Sequence, residues 1–293
     1  MTELNQRKGT LFASPFELDA DLPASELEVV CSVWAELHHT WTRFDDQSPL
    51  QKMNRSSGEW LEVEPLLLWA ARSCVAATEA TDGLFNPLVD LSALGYTNTW
   101  PNTTEPGRAN PLEPNQYLEV RDGKVKLPKG RALDLGGVAK GMAADWAVSY
   151  LKESGATIAC ANIGGDVAVL GERQVVVEDA NGVVWWNWKV TGGGVCTSST
   201  KSRAWSGVHH IVNPRTGLSV DSIFHTVSSH AGSAVAAEIA NKAALVSGSL
   251  EHAHNVTGAV VVAGRDGDVR IEQTSTARLF GSPAIRLKAV TQC

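Results

Sequence analysis

The sequence predicts an α+β fold in which helices flank a mostly antiparallel sheet. Two observations carry that expectation. Five β-rich runs, at residues 156–161, 166–171, 173–179, 183–191 and 194–199, succeed one another across short connections, as antiparallel neighbours do. Segments of helical periodicity lie on both sides of that block rather than inside it. No internal repeat period emerges.

Taken in order, residues 9–19 alternate weakly and read as a strand. Residues 24–44 place Leu27, Val30, Cys31, Trp34, Leu37, His38 and Trp41 at helical spacing, with Ser25 as the expected cap. A second helix follows "GEWLEVEP" and stops at Gly83. Residues 84–112 are rich in Pro, Asn, Thr and Gly and read as a long irregular connection of the kind that carries function on a rigid scaffold. A short strand and a glycine turn at Gly136 and Gly137 lead into a helix over 138–153. The last strong helix spans 233–248. The 293 residues suffice for one large core, read as a single unit or as two interleaved subdomains of about 1–130 and 131–293.

Composition narrows the function classes. A net charge of −7 argues against nucleic acid, which wants a concentrated cationic face. No apolar run reaches the ~18 residues of a transmembrane helix, and the first residues show no apolar leader. Cys31, Cys74, Cys160, Cys196 and Cys293 are scattered without CxxC spacing, so neither a zinc site nor a disulfide framework is indicated. A reduced cytoplasmic setting is the expectation.

Several short stretches have residues suited to chemistry. In "DLGGVAKG", Gly136 and Gly137 allow close backbone approach to a ligand, a helix N-terminus follows, and Lys140 can neutralise a phosphate. Asp134 can accept from an amide or hydroxyl. A plain glycine turn with a surface lysine explains the same residues equally well. "NIGGDVAVLG" reads as a β-bulge, with Asp166 a solvated turn residue. "VCTSST" crowds hydroxyls before the basic "KSRAW"; turn capping accounts for them, and Cys196 reads as a small buried hydrophobe. "HHIVNPRTG" supplies His210, the best candidate for a general base because imidazole titrates near neutral pH. Glu238, Asn241 and Lys242 share one helix face; the Glu238 carboxylate and Asn241 amide oxygen can hold a hard cation, or Glu238 and Lys242 form an ordinary i,i+4 surface pair.

The ordered series "KGTLF", "FDDQSPLQKMN", "TDGLFNP", "DLGGVAKG", "NIGGDVAVLG", "TSST" and "HHIVNPRTG", closed by the Ala-rich helix, resembles the bacterial FAD:protein FMN transferases, the ApbE-like flavin transferases. The resemblance covers roughly residues 8–250. It implies that FMN passes from FAD to a threonine hydroxyl of an acceptor protein, with Mg²⁺ on the pyrophosphate, AMP as leaving group and His210 as base. It implies flavin contacts at Lys8, Phe44, Leu84, Phe85, Asn86, Asp134, Lys140 and Ile211, and metal positions at the Gly137 carbonyl, Glu238 and Asn241. His209 is supporting. FAD hydrolysis to FMN and AMP, or flavin binding without catalysis, are the alternatives. The chain departs from the family pattern at Lys8 (usually Met), Phe44 (usually Tyr), Asn86 (usually Asp), Glu238 (usually Asp) and Lys242 (usually a threonine ligand). An ammonium has no lone pair for a cation and repels one.

Overall fold

In a computed structural model, residues 4–178, 184–252, 260–265 and 268–272 are described. The chain opens with a hairpin where one strand was expected. β1 (Asn5–Leu11) and β2 (Ser14–Ala20) pair in full register from Asn5↔Ala20 to Leu11↔Ser14. Their two-residue turn puts Phe12 and Ala13 at φ of 49° and 56°, the backbone a tight hairpin turn demands but neither side chain favours. No Asn-Gly signal marks it, so the turn was invisible in the sequence.

α1 (Ala24–Trp41) buries Leu27, Val30, Trp34, Leu37 and Trp41, the stripe its spacing predicts. Its N-cap is Pro23 and no side chain caps it, so Ser25 does not serve as expected. A short α2 (Pro49–Arg55), capped by Ser48, was not expected. β3 (Trp60–Glu62), α3 (Pro65–Ala80), β4 (Glu119–Arg121) and β5 (Lys124–Lys126) follow, the three strands forming a small separate sheet. α4 (Ala139–Glu153) receives a hydrogen bond from the Trp34 indole at its Ala143 carbonyl, 2.9 Å.

Three strands then account for the five predicted runs. β6 (Ala159–Ile163) leads to β7 (Asp166–Glu178) and β8 (Val184–Ser199). The breaks expected around Gly171 and Gly192 are an irregularity inside one long hairpin, where pairing shifts from Leu170↔Gly192 to Arg173↔Val190. Glycine marks a bulge as readily as a turn, and only the partner strand tells them apart. The short pieces β9 (Ala204–Trp205), β10 (Val208–His209), β11 (Val212–Asn213) and β12 (Leu218–Ser219) form two small hairpins. β13 (Thr226–Ala231), α5 (Ala234–Ser247), β14 (Val260–Arg265) and β15 (Asp268–Glu272) complete the described chain. The main sheet runs β1-β2-β6-β7-β8-β13-β14-β15 and is antiparallel throughout. One buried cluster from Leu11 to Leu250 fills the space between sheet and helices, and a second, with Val167, Trp186, Trp188 and Val195, lies elsewhere on β7 and β8. Among the described residues, no helix is long and apolar enough to cross a membrane.

α5 is alanine-rich because it is gripped on two sides. A Cβ on Gly194 of β8 would lie 2.1 Å from the Ala234 nitrogen, and one on Gly141 of α4 would lie 2.7 Å from the Val235 Cα. Its N-terminus is held twice. Ser233 accepts from the Ala236 amide at 3.2 Å, and Asp145 of α4 accepts from the Ala234 and Val235 amides at 2.7 and 2.9 Å. Gly248, at φ 69°, ends the helix in the left-handed region. Asp145→Ala is therefore expected to cost about 1–2 kcal/mol in urea unfolding, the scale of a lost helix cap. A loss below about 0.5 kcal/mol would show that Ser233 alone suffices.

Candidate active site

The segments singled out in the sequence meet around one cleft of about 750 Å³. The linker after α1 supplies Arg43 and Phe44; the loop after α3 supplies Leu84, Phe85 and Asn86. The turn before α4 supplies Asp134, Gly136 and Gly137; the far wall is Thr197–Ser199, Arg203, His210 and Ile211.

Asp134 organises the glycine turn. Its Oδ1 accepts from the Gly136 amide at 2.7 Å, while its Oδ2 pairs with Arg43 Nε at 2.8 Å. The Arg43 guanidinium also donates to the Tyr96 carbonyl at 2.6 Å and lies over the Phe44 and Tyr96 rings, 4.3 and 4.9 Å from their centroids. Gly137 is required for a contact: a Cβ there would stand 2.7 Å from the Phe85 ring and 3.3 Å from the Lys242 stem.

Behind this turn sits a buried ionic cluster. Lys140 Nζ contacts the Asp166 carboxylate and lies 3.1 Å from Glu238 Oε1; Lys242 Nζ lies 3.1 Å from that same oxygen. Glu238 Oε2 accepts from the Gly141 amide at 3.3 Å. The Asp166 and Glu238 side chains are 3% and 1% exposed. Burial opposes the charge on Glu238, but Lys140 and Lys242 outweigh it and hold the carboxyl below its usual value. Burial and the Glu238 charge push Asp166 up, against the pull of both lysines. Burial also disfavours the Lys140 ammonium, yet Asp166 and Glu238 overcome this and raise it. Asp166 is thus the clearest correction to the sequence reading. Gly164 and Gly165, at φ 60° and 93°, form the β6–β7 turn, and the aspartate after them points inward rather than into solvent.

The two histidines divide the work. His209 Nε2 lies 3.0 Å from the Val220 carbonyl and its Nδ1 accepts from the Ile211 amide at 3.2 Å, so both nitrogens are spent on shaping the loop. His210 lines the cleft, and its buried Nδ1 has no partner. Burial, with Arg203 and Lys242 nearby, depresses its pKa well below the ordinary 6.5. It stands as a neutral imidazole at neutral pH. Arg203 donates to the Tyr96 hydroxyl at 3.4 Å and to Ser14 Oγ at 3.2 Å, both neutral acceptors.

The ApbE family model matches residues 12–261. The chain belongs to the ApbE family. As an ApbE-family chain it is 30% identical over 199 residues to an FAD:protein FMN transferase of Klebsiella pneumoniae (strain 342), a match spanning 62% of this chain and 63% of that relative. The ApbE protein of Thermotoga maritima superposes with a TM-score of 0.79 at 23% identity, covering 94% of this chain and 98% of that one. The flavin transferase ApbE of Vibrio cholerae gives 0.74 at 16% identity, over 94% and 98%. The flavinyl transferase ApbE of Pseudomonas stutzeri, in its apo form, gives 0.76 at 17%, over 90% and 92%. At those identities the structural likenesses establish the shared fold.

Within this ApbE fold, Phe44, Leu84, Phe85, Asn86, Asp134, Gly137, Lys140, His210, Ile211 and Glu238 all line the cleft. Lys8 does not. It pairs with Glu17 across the exposed β1–β2 hairpin, and Thr10, Leu11 and Phe12 reach the cleft instead. Asn241 is also elsewhere: it is fully buried, its Oδ1 accepting from Ser229 at 2.5 Å and its Nδ2 donating to the Cys196 carbonyl at 2.8 Å. The expected metal set of Gly137, Glu238 and Asn241 therefore does not fit a dication. One oxygen of Glu238 already holds two ammonium groups, and the Asn241 oxygen is committed to a hydroxyl. Among the described residues, no group of three or more His, Cys, Asp or Glu side chains is gathered as metal ligands. Arg43, Arg203 and Asp166 were not singled out as site residues. Their roles depend on partners distant in the chain, although "KSRAW" did mark Arg203 as part of a basic stretch.

Proposed function

We propose that this ApbE-family chain transfers FMN from FAD to a threonine hydroxyl of an acceptor protein and releases AMP. The observation that carries the reading is His210, an imidazole held neutral by burial, on the wall of a cleft that also gathers Lys140, Lys242 and Arg203. The similarity to the Klebsiella transferase supports it. Phosphoryl transfer asks the protein for positioning and charge neutralisation more than for covalent chemistry. Phe44, Leu84, Phe85 and Ile211 give the flavin ring an apolar bed, and the cations meet the pyrophosphate. The threonine oxygen attacks the FMN-side phosphorus, and the bond from that phosphorus to the bridging oxygen breaks. The bridging oxygen departs with AMP, and the hydroxyl proton passes to the His210 imidazole.

A cytoplasmic setting is part of this proposal; cysteines scattered without CxxC spacing support it.

The reading is tested by incubating the chain with FAD and a threonine-bearing acceptor, then weighing acceptor and nucleotides by mass spectrometry. An FMN-sized adduct with AMP is the expected outcome. Free FMN with AMP and no adduct would make the chain a hydrolase, and intact FAD would make it a binder.

The depressed His210 pKa adds an expectation about pH. A base must be deprotonated to act, so activity falls as pH drops through its pKa. The acid limb of kcat/KM should therefore lie below pH 6.5, the ordinary histidine value. A limb at or above that value would remove His210 as the titrating group.

A further inference from the structure

We propose that Lys242 and Arg203 take the place of a divalent cation, so that this cleft binds a pyrophosphate ligand without metal. The inference rests on the flavin reading above, and deepens it by naming how the phosphates are held.

The geometry points this way from three sides. Lys242 projects from α5 beside Gly137, its Cε 3.3 Å from where a Cβ on that glycine would lie. That is the turn where a phosphate would approach the α4 N-terminus. Its side chain is 14% exposed and bonds to Glu238, so the ammonium is fixed at the cleft rather than swung into solvent. Second, Lys140 is balanced by Asp166 and Glu238, whereas Arg203 donates to two neutral hydroxyls. Arg43 is taken up by Asp134, and Asp45 accepts from the Gln47 amide, so the positive charge open to an anion is local to Lys242 and Arg203. Third, the Glu238 carboxylate is already engaged by two ammonium groups and the Gly141 amide, and Asn241 Oδ1 turns away to Ser229. An ammonium and a guanidinium can neutralise pyrophosphate by charge-assisted hydrogen bonds, and they repel the dication that would otherwise bridge it.

The test is FAD binding by calorimetry to the full chain, once with excess EDTA and once with excess Mg²⁺. The wild-type dissociation constant should differ by less than about tenfold between the two buffers. Lys242→Met should weaken binding in EDTA by about tenfold or more, the size of one charge-assisted hydrogen bond, whereas Lys242→Arg should keep it. Lys242→Thr should bind FAD weakly in EDTA and recover with Mg²⁺, because the repelling charge is gone. Melting temperatures of the variants establish that each is folded. Wild-type binding that tightens by more than about tenfold on adding Mg²⁺, or Lys242→Met binding FAD like wild type in EDTA, overturns the inference and leaves the flavin reading standing. No FAD binding by the wild type in either buffer removes both.

Discussion

His210→Ala should slow transfer by about 10²–10⁴-fold, the usual loss when a general base is removed, with FAD affinity nearly unchanged. The reasoning is local. Nδ1 of His210 has no partner in the folded chain, so its removal breaks no internal hydrogen bond made by that atom and leaves the lysine cluster in place. His209 cannot substitute, since both its nitrogens are engaged by the backbone at Val220 and Ile211. The check is a pair of measurements on one variant: single-turnover transfer and FAD binding. Turnover at the wild-type rate would take His210 out of the reaction. A parallel collapse of affinity would recast it as a ligand contact.

Lys140→Met is expected to have the largest effect on the fold. Lys140 is the ammonium that Asp166 and Glu238 share, and both carboxylates are almost fully enclosed. Without it, Asp166 loses the ammonium it contacts and Glu238 keeps Lys242 and the Gly141 amide. Removing one partner from a buried ionic group costs about 3–5 kcal/mol, because the stranded charge is not resolvated. Urea unfolding should show a loss of that order, and adding Asp166→Asn to Lys140→Met should recover part of it. A loss under about 1 kcal/mol would show that water reaches the cluster.

How much of this was legible follows from the range of each interaction. The stripe Leu27, Val30, Trp34, Leu37, Trp41 is a local pattern, and it forms the buried face of α1. The Ala-rich segment likewise begins at Ser233 and ends at Gly248, residues whose capping chemistry is local. The β1–β2 turn at Phe12 and Ala13 was not legible, because its residues are not those that favour positive φ. Asp166 was misread for a related reason. Gly-Gly-Asp has the composition of a solvated turn, and only the packing of α4 against β7 reveals that Lys140 is waiting for its carboxylate. Arg43 and Asp134 are likewise far apart in sequence, and neither alone announces the 2.8 Å pair they form. Asn241, a metal position only by resemblance, lies on a side of α5 that spacing did not separate from Lys242. Positions three and four apart both neighbour Glu238, but only Lys242 turns to the cleft, while Asn241 turns to Ser229 and the sheet.

The most direct measurement is a crystal structure of the full chain with FAD bound. The pyrophosphate should lie against Lys242 and Arg203, with the FMN-side phosphorus beside the His210 imidazole and the flavin ring against Phe44 and Phe85. FAD bound outside this cleft, or within it with its phosphates at the end away from His210, would contradict the assignment of the site.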